Sequence, residues 1–226
     1  MARIDYSSRR PAAPRCYHAC TSMNREQRWA VTWKTQDGLL RAYEPTVEVI
    51  AHTAPALAAF YNDAYNRLMM ANTVAMSAEE VVEHFESLRR QGGRPFLLER
   101  DGALAGDADL RHLTSDSAEF AILIGRRPEQ GKGMGTRFAI LLHAFAFRGL
   151  GLSRLYVSII AANLPSQRLF ARLGYRTDDS PTARAFADDE SDLTLSLHRA
   201  SFEDAHAAVL PEMSWSPSSA DDRLRA

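Results

Sequence analysis

Apolar positions recur along the chain with two periods, and the breaks between them mark out its elements. In residues 119–124, Phe120, Ile122 and Ile124 alternate with Glu119, Ala121 and Leu123, the period of a strand with one strongly apolar face. Residues 193–197 alternate in the same way. Met134, Phe138, Leu141, Leu142 and Phe145 instead recur at helical spacing until Gly149 and Gly151, which predicts a core helix. Ser77 and Glu80 form a capping box before the stripe Val81, Phe85, Leu88, and Gly92-Gly93 ends that helix. Pro55 is expected to open an earlier helix carrying Leu57, Phe60 and Tyr61. Asn163 stands where it caps a helix reaching Leu173, with Gly174 at the left-handed position that follows. Further strands are expected at residues 38–42, 96–99, 103–113, 155–160 and near Tyr175, with Asp101-Gly102 as a hairpin turn. The chain carries no internal repeat.

The ends have neither period. Residues 1–28 hold six Arg, two acidic residues, Pro11 and Pro14, and read as a flexible extension continuing to residue 37. Met23 is an alternative start. A cleavable organelle-targeting peptide fits the Arg-rich composition but not the prolines, which oppose the amphipathic helix such peptides need. Residues 204–226 read as a C-terminal tail, polar apart from Trp215, leaving residues 38–203 as one domain. A chain of 226 residues, 46% hydrophobic, suffices for one well-buried core.

Charge and composition remove several classes of partner. With 27 Lys and Arg against 28 Asp and Glu, no global field draws the chain to nucleic acid or an anionic membrane. The apolar run 138–147, broken by His143, is about half the ~20 residues a spanning helix needs. No secretory signal pattern opens the chain, and Cys16 and Cys20 stand alone, so the cytoplasm is the expected compartment. Cys16, His18 and Cys20, without a second cluster, fall short of a zinc site, and no metal is implied.

The chemistry is concentrated after residue 124. A strand leads into Gln130-Gly131-Lys132-Gly133-Met134-Gly135 and then an amphipathic helix, so free amides at a helix start are available to an anion such as pyrophosphate. Glycines let the backbone approach without a Cβ in the way, and Lys132 adds positive charge. The turn fails as a Walker A loop, because Gly133 follows Lys132. As a Rossmann fingerprint it lacks the spacing and the later acid, and as a kinase loop it lacks the downstream elements. Taken alone, the hexapeptide also reads as a glycine-rich connector with no ligand.

Gln130, Gly133 and Gly135 resemble the Gln/Arg-x-x-Gly-x-Gly/Ala signature of the GNAT acetyltransferase superfamily. About 30 residues later, Asn163-Leu-Pro-Ser166-Gln-Arg-Leu-Phe170-Ala-Arg-Leu-Gly174-Tyr175 resembles its second signature, in the Asn-x-x-Ser form of the RimJ/RimL-like branch. The resemblance implies an α/β (α+β) fold, a mixed, mostly antiparallel sheet of six to seven strands splayed at the cofactor site and flanked by helices. It implies acetyl-CoA as co-substrate, with backbone groups of Leu123 and Ile124 on the pantetheine amides. It places the Gln130, Gly131, Lys132, Gly133, Met134, Gly135 and Thr136 turn on the pyrophosphate, and Asn163 and Phe170 along the arm.

The expected reaction is direct transfer of an acetyl group to a primary amine, either a protein N-terminus or a small amine. Glu119, 11 residues before Gln130, matches the position of the general base in some members and reads equally well as a solvated strand residue. Asp109 and the group Asp188, Asp189 and Glu190 are fallbacks. Phe170 occupies the position of the tyrosine acid of many members, which leaves Ser166 to hydrogen-bond the departing thiolate or simply to assist the cap. His112 and His143 read as packing or surface residues. Tyr61, Tyr65 and Met69-Met70 fall in a segment that walls the acceptor site in relatives. Two rivals stand beside this reading: a non-catalytic acyl-CoA-binding module and a nucleotide-binding protein. The sequence carries no marker for or against a homodimer.

Overall fold

The computed structural model describes residues 27–71 and 74–218, so Cys16, His18, Cys20 and Met23 lie outside the described residues. Nine strands form one sheet. Strands β1 (Trp29–Thr35), β2 (Gly38–Tyr43), β3 (Arg94–Arg100), β4 (Ala103–Arg111) and β5 (Ser117–Ile124) make an antiparallel meander. Strand β6 (Arg154–Ile159) then runs parallel to β5, as a connection through a helix demands. Strands β7 (Arg176–Thr177), β8 (Leu193–His198) and β9 (Met213–Pro217) complete the order β7-β8-β6-β5-β4-β3-β2-β1-β9.

The mixed sheet flanked by helices agrees with the expected fold class, but nine strands exceed the six to seven predicted, and the excess comes from both chain ends. Residues 29–35, assigned to the extension, form β1, with Val31 fully buried and Trp33 nearly so. Residues 213–217, assigned to the tail, form β9 along the outer edge of β1, where Thr32 and Ser214 hydroxyls hydrogen-bond at 2.9 Å. The Trp33 indole N–H donates to Glu212 at 3.0 Å, and Trp215 lies edge-on to Phe145 with ring centroids 6.2 Å apart.

Helices α1 (Val47–Asn62) and α3 (Ala78–Arg90) cover one face of the sheet, joined by the short α2 (Ala64–Met69). Thr46 caps α1, and Pro55 lies inside it instead of opening it. The amide Pro55 lacks would have bonded the carbonyl of Ala51, and both residues are exposed, so water satisfies that carbonyl. The Ser77–Glu80 capping box is present in full. Helix α4 (Met134–Ala144) ends in a π-helical turn, Phe145–Gly149, and packs on the other face with α5 (Leu164–Leu173) and α7 (Arg199–His206). The one-turn α6 (Pro181–Arg184) precedes β8. Among the described residues no helix is long and apolar enough to cross a membrane.

At the core of the α4 face, His143 is fully buried, with Nε2 2.7 Å from the Tyr175 hydroxyl and Phe120, Phe147 and Phe202 packed around it. Burial holds the imidazole neutral, its pKa pushed down to about 3. His143 is a packing residue, as its helical position suggests.

Candidate active site

The sheet opens where the parallel pair ends. Strands β5 and β6 pair only over residues 117–119 and 154–156, so Phe120 to Ile124 on one strand and Val157 to Ile159 on the other have no partner across the gap. A strand edge within the sheet is thereby left free to bond an extended chain from outside. Gly125 donates to the Ala105 carbonyl of β4, so strand alternation turns the backbone groups of Leu123 toward β4 as well and those of Ile122 and Ile124 into the gap. Of the two expected strand ligands, Ile124 therefore faces the gap and Leu123 does not. The signal is in the sequence only once the partner strand is known. A Cβ on Gly106, opposite, would fall 1.9 Å from the Leu123 oxygen, which confirms how closely β4 approaches at that point.

The turn that follows is locked by side chains. Gln130 donates from Nε2 to the Ile124 carbonyl at 2.7 Å and to Asn66 Oδ1 at 2.8 Å, and Arg127 donates to its Oε1 at 2.6 Å. The buried Asn66 in turn donates to the carbonyls of Phe60 and Gly125. Arg127 also lies 3.6 Å above the Tyr65 ring. The signature glutamine thus binds the exit of β5 to the joint between α1 and α2, and its amide is engaged within the protein.

Gly133 is the N-cap of α4 in left-handed conformation, φ +79°, and no side chain caps the helix. The first-turn amides of Met134, Gly135 and Thr136 are left for an outside acceptor. Gly131, φ +75°, is exposed, and a Cβ there would meet nothing within 4 Å. Lys132 is exposed, and its carbonyl accepts from Arg137, whose guanidinium pairs with Asp37 at 2.5 Å. The Met134 side chain is buried in the core, so only its backbone is available to a ligand. Gly135 packs under Leu169 and Ile124, where an added Cβ would fall 2.9 Å from the leucine.

On the far side of the gap, Asn163 caps α5 by accepting from the Ser166 amide at 3.1 Å and donates to the Met69 carbonyl at the end of α2 at 2.8 Å. Ser166 is half-buried one turn into α5. Phe170 departs from expectation. Its ring is 4% exposed and lies edge-on to Phe120 and Tyr175, so it supports the gap from within the core instead of lining the arm. Hydrophobicity draws a phenyl ring inward where a phenol would keep its hydroxyl at water.

The face under α1 and α3 carries the polar groups. Strand register sets Glu119 opposite Arg111 on β4 and beside Tyr156 on β6, at the last paired position before the strands part. Glu119 is 7% exposed, and its Oε2 lies 2.8 Å from Nδ1 of His112. Asp109 is buried and held by Arg111 through two contacts of 2.6 and 2.7 Å, which makes it an ion-pair partner. Two residues earlier, Asp107 accepts from the Tyr61 hydroxyl at 2.7 Å, while its other oxygen is buried without a partner. Burial raises the Asp107 carboxyl to about 7 and the Tyr61 phenol well above its usual range; burial also lowers the neighbouring His84. Asp189 caps a surface turn through Ser191, and Glu190 is exposed. On sequence grounds His112 reads as a packing or surface residue and Asp107 is not singled out, because their partners lie across a turn and 46 residues away, respectively. Among the described residues no cluster of side chains could hold a metal ion.

The model of the acetyltransferase (GNAT) domain family matches residues 46–176. Over 91 residues the chain is 35% identical to spermidine N(1)-acetyltransferase of Escherichia coli K12, covering 39% of this chain and 48% of that protein. The chain thus spans about half the length of the curated relatives it matches. Similar solved folds include Mycobacterium smegmatis RimJ in complex with CoA-disulfide, with TM-score 0.64, 17% identity, and coverage of 83% of this chain and 97% of that one. Aminoglycoside acetyltransferase AAC(6')-Ib in complex with coenzyme A gives TM-score 0.61, 16% identity, and coverage of 73% and 98%.

Proposed function

The chain belongs to the GNAT acetyltransferase family, and from that membership we propose that it transfers an acetyl group from acetyl-CoA directly to a primary amine. The observation that carries this reading is the coincidence of two vacant bonding surfaces. The opened β5 edge and the uncapped start of α4 adjoin at Ile124 and Gly135, a strand edge for amides and a helix start for an anion. A pantetheine arm ending in pyrophosphate has that order of groups, and the left-handed Gly131 and Gly133 leave the space such an anion needs.

In this reading the Ile124 N–H, whose carbonyl is held by Gln130, bonds the arm, and the amides from Gly131 to Thr136, with Lys132, hold the pyrophosphate. The acyl end passes through the gap to the face of Glu119. Acetyl-CoA supplies an acetyl group activated as a thioester. Glu119 removes a proton from the acceptor's ammonium, the freed lone pair attacks, and Ser166 donates a hydrogen bond to the departing thiolate. No enzyme side chain becomes acetylated. The Asn163-x-x-Ser166 pattern and the likeness to RimJ support the RimJ/RimL-like branch, for which a protein N-terminus is the acceptor. The spermidine N(1)-acetyltransferase match supports a small polyamine. The cytoplasm, where acetyl-CoA is available to such acceptors, is the assigned compartment.

A second reading, a non-catalytic acyl-CoA-binding module, is favoured by the buried Phe170, which offers no phenol to the leaving group. Calorimetric titration with acetyl-CoA, against ATP and NAD, followed by thiol release with spermidine, an aminoglycoside and a short peptide as acceptors, separates them. Selective binding with turnover supports the transferase. Binding with no turnover on any acceptor supports the module, and no binding refutes both.

A further inference from the structure

His112 stands outside every signature, at the turn that closes β4, yet four observations tie it to Glu119. Its Nδ1 lies 2.8 Å from Glu119 Oε2. Its backbone is left-handed, φ +51°, a conformation that is strained for a non-glycine residue and persists only where its surroundings compensate. Its ring packs on Phe186 at 5.6 Å, and Phe186 packs in turn on Tyr156, the β6 neighbour of Glu119, at 5.2 Å. Finally, the His112 side chain is about one-third exposed while that of Glu119 is 9% exposed, so the imidazole stands between the carboxylate and water.

We infer that His112 is the positioning residue of the base, its Nδ1–H donating to Oε2 of Glu119 so that Oε1 is left to receive the acceptor's proton. The inference rests on the reading of Glu119 as base. An ionised carboxylate only accepts, so the bond fixes the proton of a neutral imidazole on Nδ1. In the chemical step an ammonium N–H bond breaks and its proton passes to Glu119 Oε1. The nitrogen lone pair forms the new C–N bond, the C–S bond breaks with its electron pair on sulfur, and the second proton that the nitrogen sheds as the amide forms passes to that thiolate. His112 exchanges no proton in this step. Arg111, held by Asp109, on β4 and Tyr156, with Arg154 over its ring, on β6 flank Glu119.

The left-handed backbone selects the test variants. Asparagine tolerates that conformation and carries an amide donor near the place of Nδ1, and glycine tolerates it with no side chain at all. With acetyl-CoA and the three acceptors above, His112→Asn should keep kcat within about threefold. His112→Gly should lose kcat about tenfold or more, with KM for acetyl-CoA unchanged, and regain it with added imidazole. Nitrogen-15 NMR of the histidine rings gives a readout independent of turnover. The wild type should show the Nδ1–H tautomer at His112. Wild-type kinetics in His112→Gly or an Nε2–H tautomer would each overturn the assignment. Wild-type kinetics in Glu119→Gln would instead remove the base reading on which it rests.

Discussion

Asp107→Asn should stabilise the protein at neutral and alkaline pH and leave it nearly unchanged in acid. The carboxyl is buried, one oxygen accepts from Tyr61 and the other has no partner, so ionisation in place is costly. Burial raises it from an ordinary 3.8 to about 7. Between those values the unfolded chain has released the proton while the folded chain still holds it, so stability falls as pH rises and levels off above about 7. At about 1.4 kcal/mol per pH unit, the loss approaches roughly 4 kcal/mol at the upper end. An asparagine keeps an oxygen for the Tyr61 hydroxyl and does not ionise. Urea unfolding of both proteins from pH 5 to 8.5 isolates the effect, because every other titrating group contributes to both. The difference should grow by a little over 1 kcal/mol per unit up to about pH 7 and then flatten. A difference that stays constant with pH would show that Asp107 is ionised throughout and would refute the argument.

Three further outcomes follow from the geometry. Gly133→Val places a β-branched residue at φ +79° without a clash, its nearest neighbour being Arg137 at 3.7 Å, so it should cost the fold only about 1–2 kcal/mol. Its side chain enters the anion cradle, so calorimetry should show coenzyme A affinity lost by tenfold or more, and unchanged affinity would remove the turn from the site. Glu119→Gln should lower kcat by about 10²-fold or more and flatten its alkaline rise in a thiol-release assay, with little change in KM for acetyl-CoA. Truncation after Leu210 should remove about 3 kcal/mol or more by stripping β9 from β1, Trp215 from Phe145 and Glu212 from Trp33; an unaltered thermal transition would mean that the ninth strand adds nothing.

The elements that could be read from the sequence are those whose local chemistry agrees with their environment. The Ser77–Glu80 box, the left-handed Gly174, the Asp101-Gly102 turn and the alternation of β5 each state their structure without reference to a partner. Strands β1 and β9 escape a local reading, because β1 is fixed by its pairing with β2 and β9 by its pairing with β1. Met213 and Trp215 give only two apolar positions among serines, and their meaning depends on a β1 lying alongside. Pro55 misled because its missing amide matters only on a buried helix face, and α1 turns it to water. In the site, the glycine turn was legible as an uncapped helix start. The gap itself depends on how far β5 and β6 stay paired, and the contacts of Glu119, Asp107 and Phe170 depend on tertiary neighbours that no spacing encodes.

The β1–β9 pair also decides where the molecule can be handled. The Ser218 amide donates to the Arg28 carbonyl, so the described backbone enters and leaves at a single seam, with five strands, β5 to β1, between that seam and the gap. Affinity tags or fused domains joined at residue 28 or residue 218 depart from the edge remote from the gap. A short peptide joining residues 28 and 218 would close the chain into a ring that can be reopened at an exposed loop. Circular permutants of this kind offer a way to move the termini toward the gap and to report on its occupancy by fluorescence.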